Sequence, residues 1–197
     1  KLSDLGTSQN TSYMFRYCSN LKLVPNIMDM GSSTNCSWIF QDCQSLIDAP
    51  ATMYLDTATN IDGMFYNCTA LRTPPTTISA PNAINAGSLF YNCTSLRSLP
   101  RLLQLPRVQS ANQLFYNCKS IRTAMDEIDF PEVLYLRQLF CGCDMLETPP
   151  RAIRVPKAIE VYDMFAHCYS LMSTPETLDI TGAQKANSLF YECRILE

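Results

Sequence analysis

A period of 25 residues runs through the chain and limits what it can fold into more than any other feature. Cysteine recurs at Cys18, Cys43, Cys68, Cys93, Cys118, Cys143, Cys168 and Cys193. Phenylalanine keeps the same step three residues earlier, from Phe15 and Phe40 to Phe165 and Phe190. Three residues after each cysteine stands Leu21, Leu46, Leu71, Leu96, Ile121, Leu146, Leu171 or Leu196. Proline follows at Pro25, Pro50, Pro75, Pro100, Pro150 and Pro175, with Met125 in the one deviating copy. Eight copies without an insertion are the mark of a stacked repeat, in which each unit buries its apolar side only against its neighbours. An unvarying unit length means that every coil closes in the same way.

Two local patterns fill each unit. An apolar-x-apolar triplet (Met28-Asp29-Met30, Met53-Tyr54-Leu55, Leu103-Gln104-Leu105, Ile128-Asp129-Phe130, Ile153-Arg154-Val155, Leu178-Asp179-Ile180) alternates as a short half-buried strand does. Proline often follows it, at Pro81, Pro106, Pro131 and Pro156, and removes a donor from the ladder. The second pattern, Leu-Phe-x-x-Cys-x-x-Leu, as in Leu114, Phe115, Cys118 and Ile121, puts its apolar groups on one side of a helical turn. The fold expected is an α/β-type repeat solenoid over residues 1–197, a single domain of eight units, with one short parallel β-strand per coil and helical or irregular turns between. At ~4.8 Å per coil, eight coils span roughly 35–40 Å.

These residues resemble the BspA-type leucine-rich repeats of bacterial and protozoan surface proteins. The order Leu105-Pro106, Val108, Leu114-Phe115, Cys118 and Ile121 fits that family's unit, and so does Ile128-Asp129-Phe130-Pro131, Val133, Leu139-Phe140 and Cys143. The chain departs from it in a longer, proline-rich linker, Leu71-Arg72-Thr73-Pro74-Pro75, and in mostly lacking a glycine before the aromatic pair. The resemblance implies a right-handed coil with its strands on the concave side and its turns on the convex side. It also implies ligand or partner binding at an extracellular or cell-surface location, as in an adhesin. The alternative is a structural or receptor-binding component of a larger assembly such as a phage virion, where these repeats also occur.

Composition narrows the function classes. Hydrophobic residues make up 47% and charged residues 17%, which excludes a disordered chain. A net charge of −3 without a clustered basic excess gives no footprint for nucleic acid. No apolar run approaches the ~18–20 residues of a membrane span. Lys1 enters part-way through a unit, at a strand-like Ser3-Asp4-Leu5, and Glu197 lies one residue beyond Leu196. Neither end has the polar cap that a solenoid needs. The expectation is a fragment of a longer chain, or ends covered by another subunit.

The ten cysteines admit redox, metal-binding and structural readings. One cysteine per coil beside an aromatic ring fits an inward slot filled by a small soft hydrophobe, so the row from Cys18 to Cys193 is expected to be core and its thiols free. Parallel side chains do not suit the near-perpendicular S–S torsion of a disulfide between coils. Cys36 holds the slot of Ile61, Ala86, Ala111, Leu136, Val161 and Ala186, and is also assigned to the core. Cys141 replaces Tyr66, Tyr91 and Tyr116, and with Cys143 it falls short of the roughly four ligands of a metal site. His167, the sole histidine, replaces Asn67, Asn92 and Asn117 and reads as surface or turn; the asparagines themselves could stack as an amide ladder. No catalytic set, metal site or cofactor is expected. The glycosylation sequons at Asn67 and Asn92 contain the core cysteine and read as by-products of the repeat.

The outward surface offers three candidate rows for a partner. One is the middle residue of each strand triplet: Asp29, Tyr54, Ser79, Gln104, Asp129, Arg154 and Asp179, with Arg154 expected between Asp129 and Asp179 as cross-strand pairs. It reads either as a solvated ion-pair row or as a contact patch anchored on Tyr54. Another is Arg72, Arg97 and Arg122, which repel one another unless something anionic lies nearby. Arg101, Arg107, Arg151, Arg154 and Lys157 extend that basic stretch and point to an acidic protein or carboxylate-bearing glycan, although long side chains can also splay into solvent. The tyrosines Tyr66, Tyr91 and Tyr116 form a third row, an edge contact or simple packing.

Overall fold

Seven three-residue strands recur at the sequence period in the computed structural model, which describes residues 7–196. They are β1 (Ile27–Asp29), β2 (Thr52–Tyr54), β3 (Thr77–Ser79), β4 (Leu102–Gln104), β5 (Glu127–Asp129), β6 (Ala152–Arg154) and β7 (Thr177–Asp179). Each starts one residue before the expected triplet. Each keeps the expected alternation, so Met28 points inward while Asp29 is half-exposed. All pairings are parallel and in register, Met28 to Met53 to Ile78 to Leu103 and Ile128 to Ile153 to Leu178. The chain is a parallel β-solenoid. The further strand expected at Ser3-Asp4-Leu5 lies outside the described residues.

The strand ladder divides into two sheets, β1-β2-β3-β4 and β5-β6-β7. The division falls at the coil in which Met125 replaces the repeat proline. A second line of parallel bridges does not divide: Asn10, Asn35, Asn60, Asn85, Ser110, Tyr135, Glu160 and Lys185 pair in succession. The coils on either side of the break therefore stay in one stack.

The expected helical turns are not formed: among the described residues there is no helix. The Leu-Phe-x-x-Cys segment sends alternate backbone donors across to the next coil, while Gln41 and Cys43 between them bond only three residues back, to Trp38 and Phe40. The N–H groups of Cys36, Trp38, Phe40 and Asp42 donate to the carbonyls of Asn60, Asp62, Met64 and Tyr66 at 2.8, 2.8, 2.8 and 2.9 Å. The same four bonds join Ile61, Gly63, Phe65 and Asn67 to the coil after that. Each unit also holds two left-handed residues four apart, such as Trp38 (φ 58°) with Asp42 (φ 59°) and Gln113 (φ 58°) with Asn117 (φ 57°). An α-helix needs negative φ throughout and an N–H bonded to the carbonyl four back. The segment meets neither condition, and its turns are irregular.

Inside the coils, three apolar rows run the length of the stack. The phenylalanines overlap face to face, from Phe15–Phe40 (5.3 Å between ring centres) through Phe90–Phe115 (5.7 Å) to Phe165–Phe190 (5.4 Å). The repeat leucines Leu46, Leu71, Leu96, Ile121, Leu146 and Leu171 are fully buried beside them. The third row is cysteine, and its geometry shows why that residue recurs. Each thiol donates to the phenylalanine carbonyl of the preceding coil: Cys68 to Phe40 (3.0 Å), Cys93 to Phe65 (3.1 Å), Cys118 to Phe90 (3.1 Å), Cys143 to Phe115 (3.2 Å). Cysteine is small enough for the slot, apolar enough for the core, and still carries a donor.

Candidate functional site

All ten cysteines are free thiols. Cys43, Cys68, Cys93, Cys118, Cys143 and Cys168 lie in the core as expected, and Cys36 with them. The two ends of the row depart from the expectation. Cys18 is exposed, and Cys193 is half-buried while still donating to the Phe165 carbonyl at 3.1 Å. Burial pushes the Cys43 thiol up to about 12 and the Cys68, Cys93, Cys118 and Cys143 thiols well above their ordinary range. A thiol so held is protonated at neutral pH and is a poor nucleophile and metal ligand. Among the described residues no three His, Cys, Asp or Glu side chains are grouped to hold a metal ion. No helix is long and apolar enough to cross a membrane.

The strand row emerges on one outer face, and parallel register brings Tyr54 beside Asp29 and Ser79, then Ser79 beside Gln104. Tyr54 is 50% exposed, with no packing partner among the aromatic contacts of the described residues. In the second sheet Asp129, Arg154 and Asp179 are neighbours in register. The expected cross-strand charge pairing is not what forms. Arg154 reaches Glu127 at 3.1 Å, and the Asp179 carboxylate is taken by the Thr181 amide and hydroxyl at 3.2 and 3.0 Å. A local turn supplies donors at lower entropy than a long arginine side chain does.

The basic stretch splits in the same way. Arg151 pairs with Glu127 at 2.5 Å and Asp126 at 3.3 Å, Lys157 pairs with Glu132 at 2.7 Å, and Arg122 pairs with Glu147. These cations are neutralised within the chain and drop out of the expected basic surface. Arg72, Arg97 and Arg101 are exposed, and among the described residues none of them has an ion-pair partner. The backbone sets Arg72 beside Arg97 through an N–H to carbonyl bond of 3.3 Å. Next to them, Thr73, Thr76, Ser98 and Arg101 line a cleft of ≈ 460 Å³ floored by Pro74 and Pro75. Sequence reasoning named the arginines but missed this cleft, which the proline-rich linkers of two neighbouring coils create.

The tyrosine row is a true stack: Tyr66–Tyr91 and Tyr91–Tyr116 lie 4.6 and 4.7 Å apart at 7° and 6°. Beside it the asparagines form the amide ladder. Asn67 donates to Asp42 (2.5 Å), Asn92 to Asn67 (2.6 Å) and Asn117 to Asn92 (2.5 Å). All three adopt φ of 57°, a conformation asparagine tolerates better than most residues. Both rows stop at the next coil, where Cys141 and Gly142 take their places.

A parallel β-solenoid with a fixed 25-residue coil, a largely buried thiol row and variable outer rows defines a repeat protein. The chain belongs to the family described as "Mycoplasma protein of unknown function, DUF285", whose model matches residues 3–101 and again residues 88–197. No curated protein sequence matches it. Among solved structures, it is similar to the crystal structure of a leucine-rich cell surface protein from Faecalibacterium prausnitzii A2-165, at 16% identity over 94% of this chain and 74% of that one. The TM-score is 0.27, a likeness too remote for that protein's properties to bear on this chain.

Proposed function

We propose that this chain is a non-catalytic recognition scaffold of the BspA-type repeat class, which binds an acidic protein or a carboxylate-bearing glycan at an extracellular surface. The observation that carries the reading is the group of unpaired arginines, Arg72, Arg97 and Arg101, exposed on a chain whose net charge is −3. Arg122, Arg151, Arg154 and Lys157 of the middle coils meet carboxylates, and Arg107 donates to the Asn82 side-chain oxygen; these three do neither. An external anion would relieve their mutual repulsion, with bidentate geometry open to a guanidinium. The hydroxyls of Thr73, Thr76 and Ser98 in the adjoining cleft offer the polar contacts a saccharide requires. Tyr54, exposed on the neighbouring strand row, supplies an aromatic anchor. Deep burial lets the core thiols persist unoxidised at such a surface, since thiols without solvent access are slow to oxidise.

The test is binding of hyaluronan oligosaccharides and of a polyglutamate peptide, measured calorimetrically at low and physiological salt. The reading expects salt-sensitive binding that falls at least about tenfold when Arg72, Arg97 and Arg101 are all changed to alanine. Neither probe binding the native chain, or binding unaltered in the triple variant, would remove this surface as the recognition site.

A further inference from the structure

The outer tyrosine stack is interrupted, and the interruption is shaped. At the position of Tyr66, Tyr91 and Tyr116 the next two coils carry Cys141 and Ala166, and the coil after them returns to Tyr191. From Tyr116 to Tyr191 is three coil steps, roughly 14 Å at ~4.8 Å per step, so two rungs of the stack lack rings. The result is a cleft of ≈ 320 Å³. Cys141 (5% exposed) and Ala166 (2% exposed) form its floor. Tyr116 presents an outer ring at one end; its other neighbour in the stack is Tyr91. Tyr191 closes the far end, standing edge-on to His167 at 88° and 5.5 Å between ring centres.

The walls add a polar requirement. Gln138, Asp163, His167 and Ser188 line the cleft. Asp163 is half-buried, and its carboxylate receives only the Gln138 amide, at 3.5 Å, among the described residues. Glu192 lies beyond His167, 3.7 Å from its Nδ1. A half-buried carboxylate with one long hydrogen bond has unfilled acceptor capacity. The volume lies at the small end of ligand sites.

We propose that this gap is a binding slot for a flat aromatic ring bearing an amine or other cationic N–H donor, which stacks on Tyr116 in the place of a missing rung and donates to Asp163. The spacing is that of the tyrosine stack itself, so a planar ring enters with the same ring-to-ring contact that Tyr66, Tyr91 and Tyr116 already make. A saturated ring of similar volume lacks the flat face, and an anionic ring meets Asp163 and Glu192 with like charge. The slot uses a different station of the coil from the strand and arginine rows, and it stands or falls independently of the recognition surface proposed above.

The experiment is ligand-observed NMR and calorimetry on the full chain with tyramine as the probe. Two controls keep one feature each: 2-cyclohexylethylamine has the amine without the flat ring, and 4-hydroxyphenylacetate has the ring with an anion. Tyramine is expected to bind at least about tenfold more tightly than either control. Ala166→Tyr and Cys141→Tyr, which install the repeat's own residue, are expected to fold and to abolish binding by filling the gap. Asp163→Asn, a milder change, is expected to weaken it several-fold while leaving the fold intact. The peptide Gly-Lys-Tyr-Lys-Gly serves as a second probe. If it binds more tightly than tyramine, the slot takes a ring from a polypeptide; if it binds no better, the slot takes a free aromatic amine. Failure of both probes to bind, equal binding of the controls, or undiminished binding in Ala166→Tyr would overturn the proposal.

Discussion

Coils on the β1–β4 side and coils on the β5–β7 side share their inward rows almost residue for residue. Phenylalanine overlaps phenylalanine on both sides of the division, at 5.2 Å for Phe65–Phe90 and 5.4 Å for Phe140–Phe165, and thiols reach the preceding carbonyl at 3.1 Å in Cys93 and again in Cys168. Their outward rows part company between Tyr116 and Cys141. On the β1–β4 side the surface is held by continuous files, the stacked tyrosines and the asparagine ladder, and Arg72, Arg97 and Arg101 are left without ion-pair partners among the described residues. On the β5–β7 side the files end and ion pairs between coils replace them. Half-buried carboxyl groups follow the same division. Asp62, with no cation against it, is pushed up to about 6 by burial, whereas Glu160 is held below the usual carboxylate range by Lys185 and Arg137. The lesson is that the repeat fixes the interior, while each stretch of coils carries its own surface chemistry, and with it any binding function.

If the interior is shared, then cutting it on either side must cost the same. Phe90→Ala and Phe140→Ala are each expected to destabilise by about 3–5 kcal/mol, since each removes a fully buried ring and two stacking contacts. Urea unfolding of both variants checks this. A large loss on one side and a small one on the other would mean that the two sets of coils have different cores.

A smaller effect separates the two carboxyl groups by pH. The folded chain holds the Asp62 proton more tightly than the unfolded chain does. Its contribution to stability is therefore fully present below the ordinary carboxylate range and is lost as pH rises through about 6. Asp62→Asn removes this penalty and is expected to stabilise the protein by about 1–2 kcal/mol at pH 8, with no gain at pH 3, the figure allowing for partial exposure. Unfolding midpoints across that range decide it, and a gain that does not vary with pH would refute the assignment. Glu160, lowered rather than raised, has the opposite sign: Glu160→Gln is expected to lose stability near neutrality and to lose less as pH falls below the carboxylate range.

The files themselves can be extended. Gly142 adopts φ of 73°, and a Cβ there would come 3.4 Å from the Asn117 side-chain oxygen. Gly142→Asn therefore places an amide in line with the ladder and is expected to stabilise by about 0.5–1 kcal/mol, read as a rise in Tm. The least effect belongs to the exposed ion pairs. Glu127→Gln frees Arg154, leaves Arg151 with Asp126 alone, and is expected to cost less than about 1 kcal/mol. The same change should strengthen binding of the polyglutamate peptide at low salt by making this side basic, as the other side already is.

Much of this was legible in the chain. The 25-residue step gave the solenoid, and alternation in the triplets placed Tyr54, Gln104 and Arg154 outward. The helical turn was misread because Leu-Phe-x-x-Cys-x-x-Leu brings apolar groups together in a helix and equally in a turn built on two left-handed residues. A sign was available: Asp42, Asn67, Asn92, Asn117 and Gly142 share one slot, and asparagine, aspartate and glycine are the residues that tolerate left-handed φ. The ion pairs also left a trace, because acid and base stand one period apart in Asp126–Arg151, Glu132–Lys157 and Glu160–Lys185. The clefts left little, since each arises where side chains of successive coils are short, and only stacking reveals the space between them.

The shared interior is tested most directly by maleimide labelling of the ten thiols, read by mass spectrometry before and after denaturation. In the folded protein Cys18 should react, and Cys68, Cys93, Cys118, Cys143 and Cys168, buried on both sides of the division, should not. After denaturation all ten should be modified. Rapid modification of Cys118 or Cys143 in the folded state would contradict a continuous buried row. Incomplete labelling of the denatured chain would show cross-linked coils where free thiols bonded to carbonyls are described.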